Sequence, residues 1–251
     1  MNDQNIPLGI LGGLGPMSTV YFCELLTSHT AAKCDADHID MIISSRASTP
    51  DRTAFILGTS AEDPLPVMRQ EADRLYRAGA KLLVIPCNTA HYFYDGLQTT
   101  CSLPILNIIR ETVSFLYDGG VKTFGLLATD GTVKSHSYEK VCREYGMTCI
   151  TPVEEDQRVI TSIIYDQIKQ NKTPDREALL RVSDRLCTQG CERIVLGCTE
   201  LSLLNKLARL DPLIYIDSLD VLAYKTILTC NKTPTGFPVE FEAMGRKAET
   251  K

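Results

Sequence analysis

Two short apolar stretches, each followed by a cysteine, organise the hydrophobic pattern of the chain. Residues 82–85 precede Cys87, and residues 193–196 precede Cys198. An apolar run of this length that stops at a turn signal is typical of a buried parallel strand. A helix-like pattern follows each cysteine. The sequence therefore predicts two βα units that each carry a thiol at the carboxyl end of the strand, where open α/β sheets bind their ligands.

Strand and helix patterns alternate along the rest of the chain, as in an α/β fold with parallel sheets. The strands are predicted at 8–11, 41–44, 105–108, 123–128, 149–152 and 213–217. The helices are predicted at 18–29, 66–78, about 109–117, 135–145, 156–169, 174–187 and up to about 230. Residues 45–53 are expected to form a loop at the same sheet edge, and the polar residues 233–251 a loose tail.

The cysteine units belong to an internal repeat. Asp73-Arg74-Leu75, Gly79 and Cys87 recur 111 residues later as Asp184-Arg185-Leu186, Gly190 and Cys198. A chance match of the common helix–glycine–strand phrase does not require the same Asp-Arg-Leu or the same cysteine register. We therefore predict two pseudo-symmetric α/β domains, each a mostly parallel sheet flanked by helices, with the active site in the cleft between them. Gly119 and Gly120 mark the boundary, which gives domains at 1–117 and 121–212.

Composition and charge remove several classes of function. The chain has 251 residues and a formal net charge of −5, without the basic stripe that nucleic-acid binding requires. It has no apolar run of about 18 residues, which argues against a membrane partner, and its polar start does not resemble a signal peptide. We expect a cytoplasmic protein whose ten cysteines are mostly reduced. Without a Cys-x-x-Cys pair, no metal site is expected.

Two thiols on opposite walls of a cleft form an acid–base pair. A thiol near a helix N-terminus has a lowered pKa, because the thiolate gains the helix dipole and free N–H groups. One thiolate can remove a proton from a bound carbon while the opposite thiol delivers one to the other face, which inverts a stereocentre. Cys87 and Cys198 are therefore the candidate catalytic residues. The remaining eight cysteines are interpreted as small hydrophobic residues.

Polar residues close to the two cysteines are candidates for substrate binding. Asn88, Thr89 and Thr199 can donate hydrogen bonds to a carboxylate, although helix capping alone would also explain them. Arg52 and Lys169 can each clamp a second carboxylate, but a single cation is more often solvated surface.

Further residues are supporting candidates. Glu200 can orient a neighbouring group or be an ordinary acid of a first helical turn. His91, one turn after Cys87, can polarise that thiol or be a packed core residue. Gly13 and Met17, in and after a glycine-rich turn, complete the supporting set. That turn lacks the third glycine of a dinucleotide-binding fingerprint.

The motifs resemble those of the cofactor-independent aspartate/glutamate racemase superfamily, closest to its aspartate racemase branch. They cover nearly the whole chain: Gly9-Ile10-Leu11-Gly12-Gly13-Leu14-Gly15-Pro16, Pro50-Asp51-Arg52-Thr53, Pro86-Cys87-Asn88-Thr89-Ala90-His91, Leu127-Ala128-Thr129-Asp130-Gly131-Thr132 and Gly197-Cys198-Thr199-Glu200. The resemblance implies a homodimer that needs no pyridoxal phosphate or other cofactor and acts on a small acidic amino acid. It also implies that a C-terminal helix, about 217–231, packs back on the first domain.

The same resemblance assigns roles to residues. It implies that Cys87 and Cys198 are the two bases and that Arg52 anchors the side-chain carboxylate, with Lys169 as a second anchor. It also implies that Asn88, Thr89, Thr129 and Thr199 bind substrate. The most specific function expected is an aspartate racemase with a two-base mechanism.

Several alternatives remain open at the level of sequence. Arg46 is an additional cation before the Pro-Asp-Arg motif, and it can change which side chain is accepted. A glutamate or broad-specificity racemase is therefore an alternative, as is a maleate isomerase or hydantoin racemase. A non-catalytic small-molecule binding protein is the alternative from another class. A thiol redox sensor is disfavoured, because cysteines that admit a substrate between them are too far apart for a disulfide.

Overall fold

The computed structural model describes residues 6–249 of the chain. Its strands are β1 (Leu8–Gly12), β2 (Met41–Ser45), β3 (Leu82–Val84), β4 (Ile105–Leu106), β5 (Thr123–Leu127), β6 (Thr148–Ile150), β7 (Arg193–Leu196) and β8 (Tyr215–Asp217). Its helices are α1 (Pro16–Ser28), α2 (Arg52–Ile56), α3 (Leu65–Arg77), α4 (Tyr94–Gln98), α5 (Ile108–Asp118), α6 (Asp130–Lys134), α7 (Ser137–Tyr145), α8 (Glu154–Ser162), α9 (Arg176–Thr188), α10 (Thr199–Ala208), α11 (Ser218–Thr229) and α12 (Val239–Glu249). Short 3₁₀ turns lie at Asp35–Asp37, Thr89–Phe93 and Ile168–Gln170, and a π-helical turn lies at Ile163–Gln167.

The strands form two four-stranded sheets of the same topology. The first has the order β2-β1-β3-β4 and the second the order β6-β5-β7-β8, and every pairing is parallel. Parallel sheets are buried on both faces, and helices flank each of these two sheets. Helices α3 and α9 are both 13 residues long, and each ends at a left-handed glycine, Gly79 or Gly190, as the repeat predicts. The predicted fold class, two pseudo-symmetric α/β units, is confirmed.

One hydrophobic cluster spans the two halves, and each half also has a cluster of its own. A single buried cluster includes Leu8 and Phe22 from the first half and Phe124, Val195 and Leu222 from the second. Helix α5, which follows the first sheet, packs on α7 of the second half, whereas α11, which follows the second sheet, packs on α1 and α5. Each half therefore contributes its last helix to the other, and this exchange fixes the cleft between the two sheets.

The C-terminal segment differs from the expected loose tail. Residues 239–249 form α12, which packs on α5. Phe237 and Phe241 are buried, stack on each other at a centroid distance of 5.1 Å, and contact the ring of Tyr224. The spacing of Phe237, Phe241 and Met244 is helical, but the surrounding Glu and Lys residues hide it. Residues 1–5 of the predicted first domain and residues 250–251 of the predicted tail lie outside the described residues.

Two segments beside the cleft also differ from the predicted elements. Residues 45–53 were expected to be a loop, but α2 begins at Arg52, because the Asp51 carboxylate accepts a hydrogen bond from the Ala54 N–H at 2.7 Å. The predicted helix at 156–169 is regular only to Ser162 and continues as the π-helical and 3₁₀ turns. Within the described part of the chain, no helix is long and apolar enough to cross a membrane.

Candidate active site

The two cysteines lie at equivalent ends of the central strands. Cys87 follows β3 and Cys198 follows β7, and both side chains are buried. Both line one closed cavity of about 10 Å³ between the halves. A cavity of this size holds roughly one water molecule. The predicted convergence of the two thiols is therefore what the fold produces.

Other predicted residues line the same closed cavity. They are Arg52, Asn88, Thr89, Thr129, Lys169, Thr199 and Glu200. Sequence reasoning did not single out four further lining residues, namely Leu14, Asp51, Thr53 and Tyr165. Asp51 and Thr53 stand inside a motif that was identified, so their position beside Arg52 was the available signal. Tyr165 lies in the π-helical turn, which no pattern in the sequence indicates.

Three threonine hydroxyls form a cluster at the wall of this cavity. Thr89 Oγ1 lies 2.8 Å from Thr129 Oγ1 and 3.0 Å from Thr132 Oγ1, and the latter two are 3.1 Å apart. Thr129 also caps α6 by accepting the Thr132 N–H at 3.2 Å. Each hydroxyl both donates and accepts, so the cluster can reorient its protons toward a bound carboxylate. Thr132 was missed, although its Thr-x-x-Thr spacing from Thr129 is a capping pattern.

Asn88 is held by residues of the second half. Its Nδ2 donates to Ser218 Oγ at 2.9 Å, and its Oδ1 accepts from the Tyr138 hydroxyl at 2.7 Å. Ser218 in turn donates to the Leu196 carbonyl at 2.7 Å. These bonds fix the orientation of the amide, whose second N–H can serve a ligand. Ser218 therefore connects Asn88 with the strand that precedes Cys198, and Tyr138 holds the carbonyl side of the amide.

Arg52 is a buried cation with an unpaired donor. Its side chain is 9% exposed, and its Nη1 donates to the carbonyls of Thr49 at 3.2 Å and Pro50 at 3.0 Å. Its Nε is buried without a hydrogen-bond partner among the described residues. A buried guanidinium with a free donor is suited to hold a carboxylate.

Lys169 reaches the cleft from the irregular end of α8. Its Nζ lies 4.2 Å above the ring of Tyr165 and 3.9 Å from Glu200 Oε1. The Tyr165 hydroxyl donates to Thr53 Oγ1 at 2.8 Å, which ties this turn to α2 across the cleft. π-helical turns occur frequently at functional sites, because they redirect side chains out of the regular helical register.

The two thiols lie in different electrostatic surroundings. The Cys198 thiol donates to Glu200 Oε2 at 3.1 Å. Burial, and then the Glu200 carboxylate, hold the pKa of Cys198 well above its usual range. Burial also raises the pKa of Cys87, but the Arg52 guanidinium counteracts this effect more strongly than Glu200 adds to it. The expectation of a lowered thiol pKa is therefore wrong for both cysteines, because burial outweighs the nearby backbone donors. Relative to each other, Arg52 favours the charged form of Cys87, whereas Glu200 favours the neutral form of Cys198.

His91 does not contact either thiol. Its Nδ1 donates to the Cys87 carbonyl at 2.8 Å, and its Nε2 accepts the Ile108 N–H at 3.3 Å. Because a carbonyl only accepts and an N–H only donates, these two bonds require the neutral ring with its proton on Nδ1. Burial lowers the pKa of His91 to about 4. Of the two roles that the sequence leaves open for His91, this geometry supports the packed, hydrogen-bonded residue, which joins the segment after β3 to α5.

Arg46 points away from the cleft. Its guanidinium donates to Glu71 Oε1 at 2.6 Å and to Gln70 Oε1 at 2.9 Å. Only the Arg46 backbone approaches the site, where a Cβ on Gly13 would lie 2.4 Å from it. The backbone of Gly13 has a φ of +81°, which is unfavourable for any residue with a Cβ atom. The concern that Arg46 changes the accepted side chain is not supported by this geometry.

A larger outer pocket of about 480 Å³ adjoins the closed cavity. Gly13 and the half-exposed Met17 line it, together with Arg52, Lys169 and Glu200, which line both spaces. The predicted supporting residues Gly13 and Met17 thus lie at the outer pocket rather than beside the thiols. Among the described residues, no group of three His, Cys, Asp or Glu side chains is arranged to hold a metal ion.

The duplicated fold, with a cavity between its halves, places the chain among the two-domain α/β proteins. The sequence profile of the Asp/Glu/hydantoin racemase family matches residues 11–226, so the chain belongs to this family. Broad-specificity amino-acid racemase RacX of Bacillus subtilis is 28% identical to it over 230 residues, which span 88% of this chain and 97% of that protein.

Solved structures agree with this assignment. Aspartate racemase of Picrophilus torridus is 28% identical, with a TM-score of 0.81 over 96% of this chain and 99% of that one. An aspartate racemase homologue from Pyrococcus horikoshii is 25% identical, with a TM-score of 0.73 over 90% of this chain and 99% of that one. The chain is an isomerase of the racemase class.

Proposed function

We propose that the chain is an amino-acid racemase that acts on acidic amino acids, with aspartate as a substrate, and that inverts the α-carbon between Cys87 and Cys198. The observation that carries the proposal is that these two thiols, from equivalent strand ends, line one closed cavity beside the buried Arg52 guanidinium. The names of the similar proteins, an aspartate racemase and a broad-specificity amino-acid racemase, support this class of substrate.

The reaction in this direction requires Cys87 as thiolate and Cys198 as thiol, and the Arg52 guanidinium is the neighbour that favours the charged form of Cys87. The Cys87 sulfur takes the α-proton from one face of the substrate, and the electron pair of the broken C–H bond stays on the α-carbon and its carboxylate. That carbon then takes the proton of Cys198 on the opposite face, which leaves Cys198 as the thiolate. No bond to substrate other than C–H is made or broken. After the opposite enantiomer forms, Cys87 carries the proton and Cys198 is the thiolate. The two sulfur atoms have exchanged roles, so the same site performs the reverse reaction.

The polar residues address the difficulty of making a carbanion. Deprotonation spreads negative charge onto the α-carboxylate, and oriented donors in a closed cavity stabilise that charge far better than water does. Asn88, Thr89, Thr129 and Thr199 supply such donors at the cavity wall, while Arg52 and Lys169 hold the side-chain carboxylate. No residue in this scheme requires pyridoxal phosphate or another cofactor.

The test is α-proton exchange in deuterated water without added cofactor. We expect the wild type to incorporate deuterium into L- and D-aspartate with inversion, as followed by NMR and chiral chromatography. Cys87→Ala and Cys198→Ala are each expected to lose racemisation. Cys187→Ala, which changes an exposed cysteine on α9, is the matched control and keeps it. Absence of exchange from any acidic amino acid in folded, reduced protein would contradict the proposal and leave simple binding or another isomerisation.

We also propose that the chain acts in the cytoplasm as a homodimer. The edge strand β2 exposes Ile43, which is half-exposed, and an apolar side chain on an exposed edge favours pairing with a second copy. Light scattering during size-exclusion chromatography measures the mass. A mass of one chain at micromolar concentration would contradict the dimer, whereas Ile43→Lys is expected to shift a true dimer toward monomer.

A further inference from the structure

The closed cavity and the outer pocket share four charged residues in their walls. Asp51, Arg52, Lys169 and Glu200 line both spaces. The closed cavity measures about 10 Å³ and the outer pocket about 480 Å³. The closed cavity is too small for an amino acid, so the two halves must separate to admit one. A substrate whose α-carbon then lies between the thiols directs a long side chain past these four residues toward the outer pocket.

The outer pocket contains a buried hydroxyl without a partner. Ser18 is 1% exposed and lines this pocket, and its Oγ has no hydrogen-bond partner among the described residues. Leaving a polar atom buried and unpaired costs free energy, so such atoms commonly mark places where a ligand or water binds. Ser18 is not among the residues assigned to the reaction at the thiols.

Ser18 stands in the first turn of a helix that lacks the usual N-terminal cap. Helix α1 has 13 residues, begins after Gly15 at a φ of +101°, and has neither a capping side chain nor an acidic residue in its first turn. Its positive end therefore meets the outer pocket without a side chain of its own to neutralise it. Together with the Arg52 Nε, the pocket offers donors that lack acceptors.

The carboxylates at this junction are already engaged. Asp51 accepts the Ala54 N–H, and Glu200 accepts the Cys198 thiol and faces Lys169. Glu200 Oε1 and Ser18 Oγ lie 2.7 and 3.2 Å from the point that a Cβ on Gly15 would occupy. The Glu200 charge thus borders the donor site, and Lys169 offsets it. The remaining demand in the pocket is for an acceptor atom.

Apolar side chains form another part of the wall. Met17, Ile168 and Leu203 line the outer pocket together with the four charged residues. We propose that this pocket, with Ser18 and the start of α1 at its end, is a second subsite for side chains longer than that of aspartate. Two or three methylene groups pack on the apolar wall, and a terminal carboxylate or carboxamide oxygen accepts from the Ser18 hydroxyl. The inference rests on the proposed racemase function and defines its substrate class more closely.

The kinetic test compares substrates of increasing length in three proteins. Racemisation of aspartate, glutamate, 2-aminoadipate, glutamine and norleucine is measured with the wild type, Ser18→Ala and Ser28→Ala. Ser28 is an exposed serine at the far end of the same helix and is the matched control. In Ser18→Ala, the ratio of kcat/KM for glutamate or 2-aminoadipate to that for aspartate is expected to fall by about five- to tenfold, the effect of one hydrogen bond.

The other two substrates separate the chemical contributions. If the kcat/KM ratio of glutamine to aspartate falls similarly in Ser18→Ala, an uncharged acceptor oxygen is sufficient for binding at Ser18. If the ratio falls for glutamate but not for glutamine, the negative charge is required. Norleucine, which lacks an acceptor, is expected to give the same ratio to aspartate in all three proteins. If aspartate is racemised while Ser18→Ala leaves every ratio unchanged, or if norleucine changes as much as glutamate, the subsite is rejected.

A binding measurement keeps this inference separate from the reaction. Titration calorimetry with glutarate and succinate, which lack an amino group, reports on the pocket without turnover. Glutarate is expected to bind Ser18→Ala more weakly than wild type by about five- to tenfold, with a smaller change for succinate. If this difference appears but no amino acid exchanges its α-proton, the subsite holds and the racemase proposal fails. Equal weakening of both diacids, or none, contradicts the subsite.

Discussion

The first and second halves of the molecule have the same backbone plan but different polar residues around their cysteines. Each half places a 13-residue helix, a left-handed glycine, a central strand and a cysteine in the same register. After Cys87 the chain makes a 3₁₀ turn, whereas after Cys198 it enters the regular helix α10 at once. The duplication thus fixes the positions of the sulfur atoms, and the later residues set their charges.

The difference lies in one cation and one carboxylate. Arg52 favours the thiolate of Cys87, and Glu200 favours the thiol of Cys198. A racemase with identical surroundings at both thiols would distribute its proton equally between them. Burial raises the pKa of both thiols, but when a thiolate forms it is expected at Cys87, with Cys198 protonated. This state suits the enantiomer that presents its α-proton to Cys87.

Thermodynamics limits how this asymmetry can be observed. Two enantiomers have equal free energies in water, so kcat/KM must be equal in the two directions whichever thiol is charged. An unequal pair of thiols therefore affects kcat and KM separately for each enantiomer. The experiments below change the two surroundings one at a time, from the largest expected effect to the smallest.

Removing the cation beside Cys87 is expected to have the largest effect. Arg52→Met should lower kcat/KM for aspartate by about 10²–10³-fold, because losing one partner of a buried charge pair costs roughly 2–5 kcal/mol. It should also raise the pKa of Cys87, so the rising limb of the pH–rate profile moves to higher pH. Steady-state kinetics from pH 6 to 10 measure both changes. A loss of activity without any shift of that limb would restrict Arg52 to substrate binding.

Replacing the histidine beneath the first cysteine strand should reduce stability. His91→Phe leaves the Cys87 carbonyl and the Ile108 N–H unpaired, which lowers the free energy of unfolding by about 2–4 kcal/mol. Urea denaturation at pH 7 measures this loss. Since the second half has no histidine in its cysteine segment, the change tests a feature of the first half alone.

The same histidine is expected to make stability depend on pH. Its pKa is lowered from 6.5 to about 4 in the folded protein, so the unfolded chain binds its proton first as the pH falls. The contribution is present above pH 6.5 and is lost as the pH falls from 6.5 to about 4, by roughly 3 kcal/mol. His91→Phe should flatten this dependence, and the exposed control His136→Asn should not. An unchanged slope in His91→Phe would assign the titration to other groups.

Neutralising the carboxylate beside Cys198 is expected to have a smaller effect on rate. Glu200→Gln removes a charge that disfavours the Cys198 thiolate, so the falling limb of the pH–rate profile should move to lower pH. The kcat and KM values of the two enantiomers should change unequally, by up to about tenfold, while kcat/KM stays equal for both. Glu177→Gln, an exposed change on α9, is the control. Equal changes for both enantiomers would mean that Glu200 does not distinguish the thiols.

Arg46 should produce the smallest effect and serves as the matched control for Arg52. Arg46→Met removes a partly exposed ion pair from Glu71, which retains Arg74 and Ser44 as partners. The free energy of unfolding should fall by about 1 kcal/mol or less. The kcat/KM values for aspartate and glutamate should stay within about twofold of wild type. A change in their ratio would restore Arg46 as a determinant of side-chain specificity.

The fold could be predicted well from the sequence because the two copies of the repeat can be compared with each other. Apolar strands, the left-handed glycines and the cysteine register agree at the same spacing, and each results from local preferences that a sequence displays. The convergence of Cys87, Cys198, Arg52 and Lys169 followed from the topology of parallel sheets and from the family resemblance.

The features that were missed depend on contacts between distant residues. Helix α12 is held in place by aromatic contacts with distant residues. Phe241 packs on Phe115 and Tyr224, and Phe237 packs on Tyr224. His91 accepts a hydrogen bond from Ile108, which belongs to another element. The Thr132 hydroxyl belongs to the site only because it hydrogen-bonds to Thr89. The orientation of Arg46 likewise required the position of Glu71. None of these pairings leaves a periodic pattern in the chain.

The exchange of α5 and α11 between the halves has a consequence for the history of the chain. A single ancestral unit of this kind would have formed the same contacts with a second copy of itself, because each last helix packs on a helix of the other half. Fusion into one chain would make that association independent of concentration. The halves could then diverge around their cysteines while each stayed packed against the last helix of the other. The modern protein should accordingly unfold in one cooperative step.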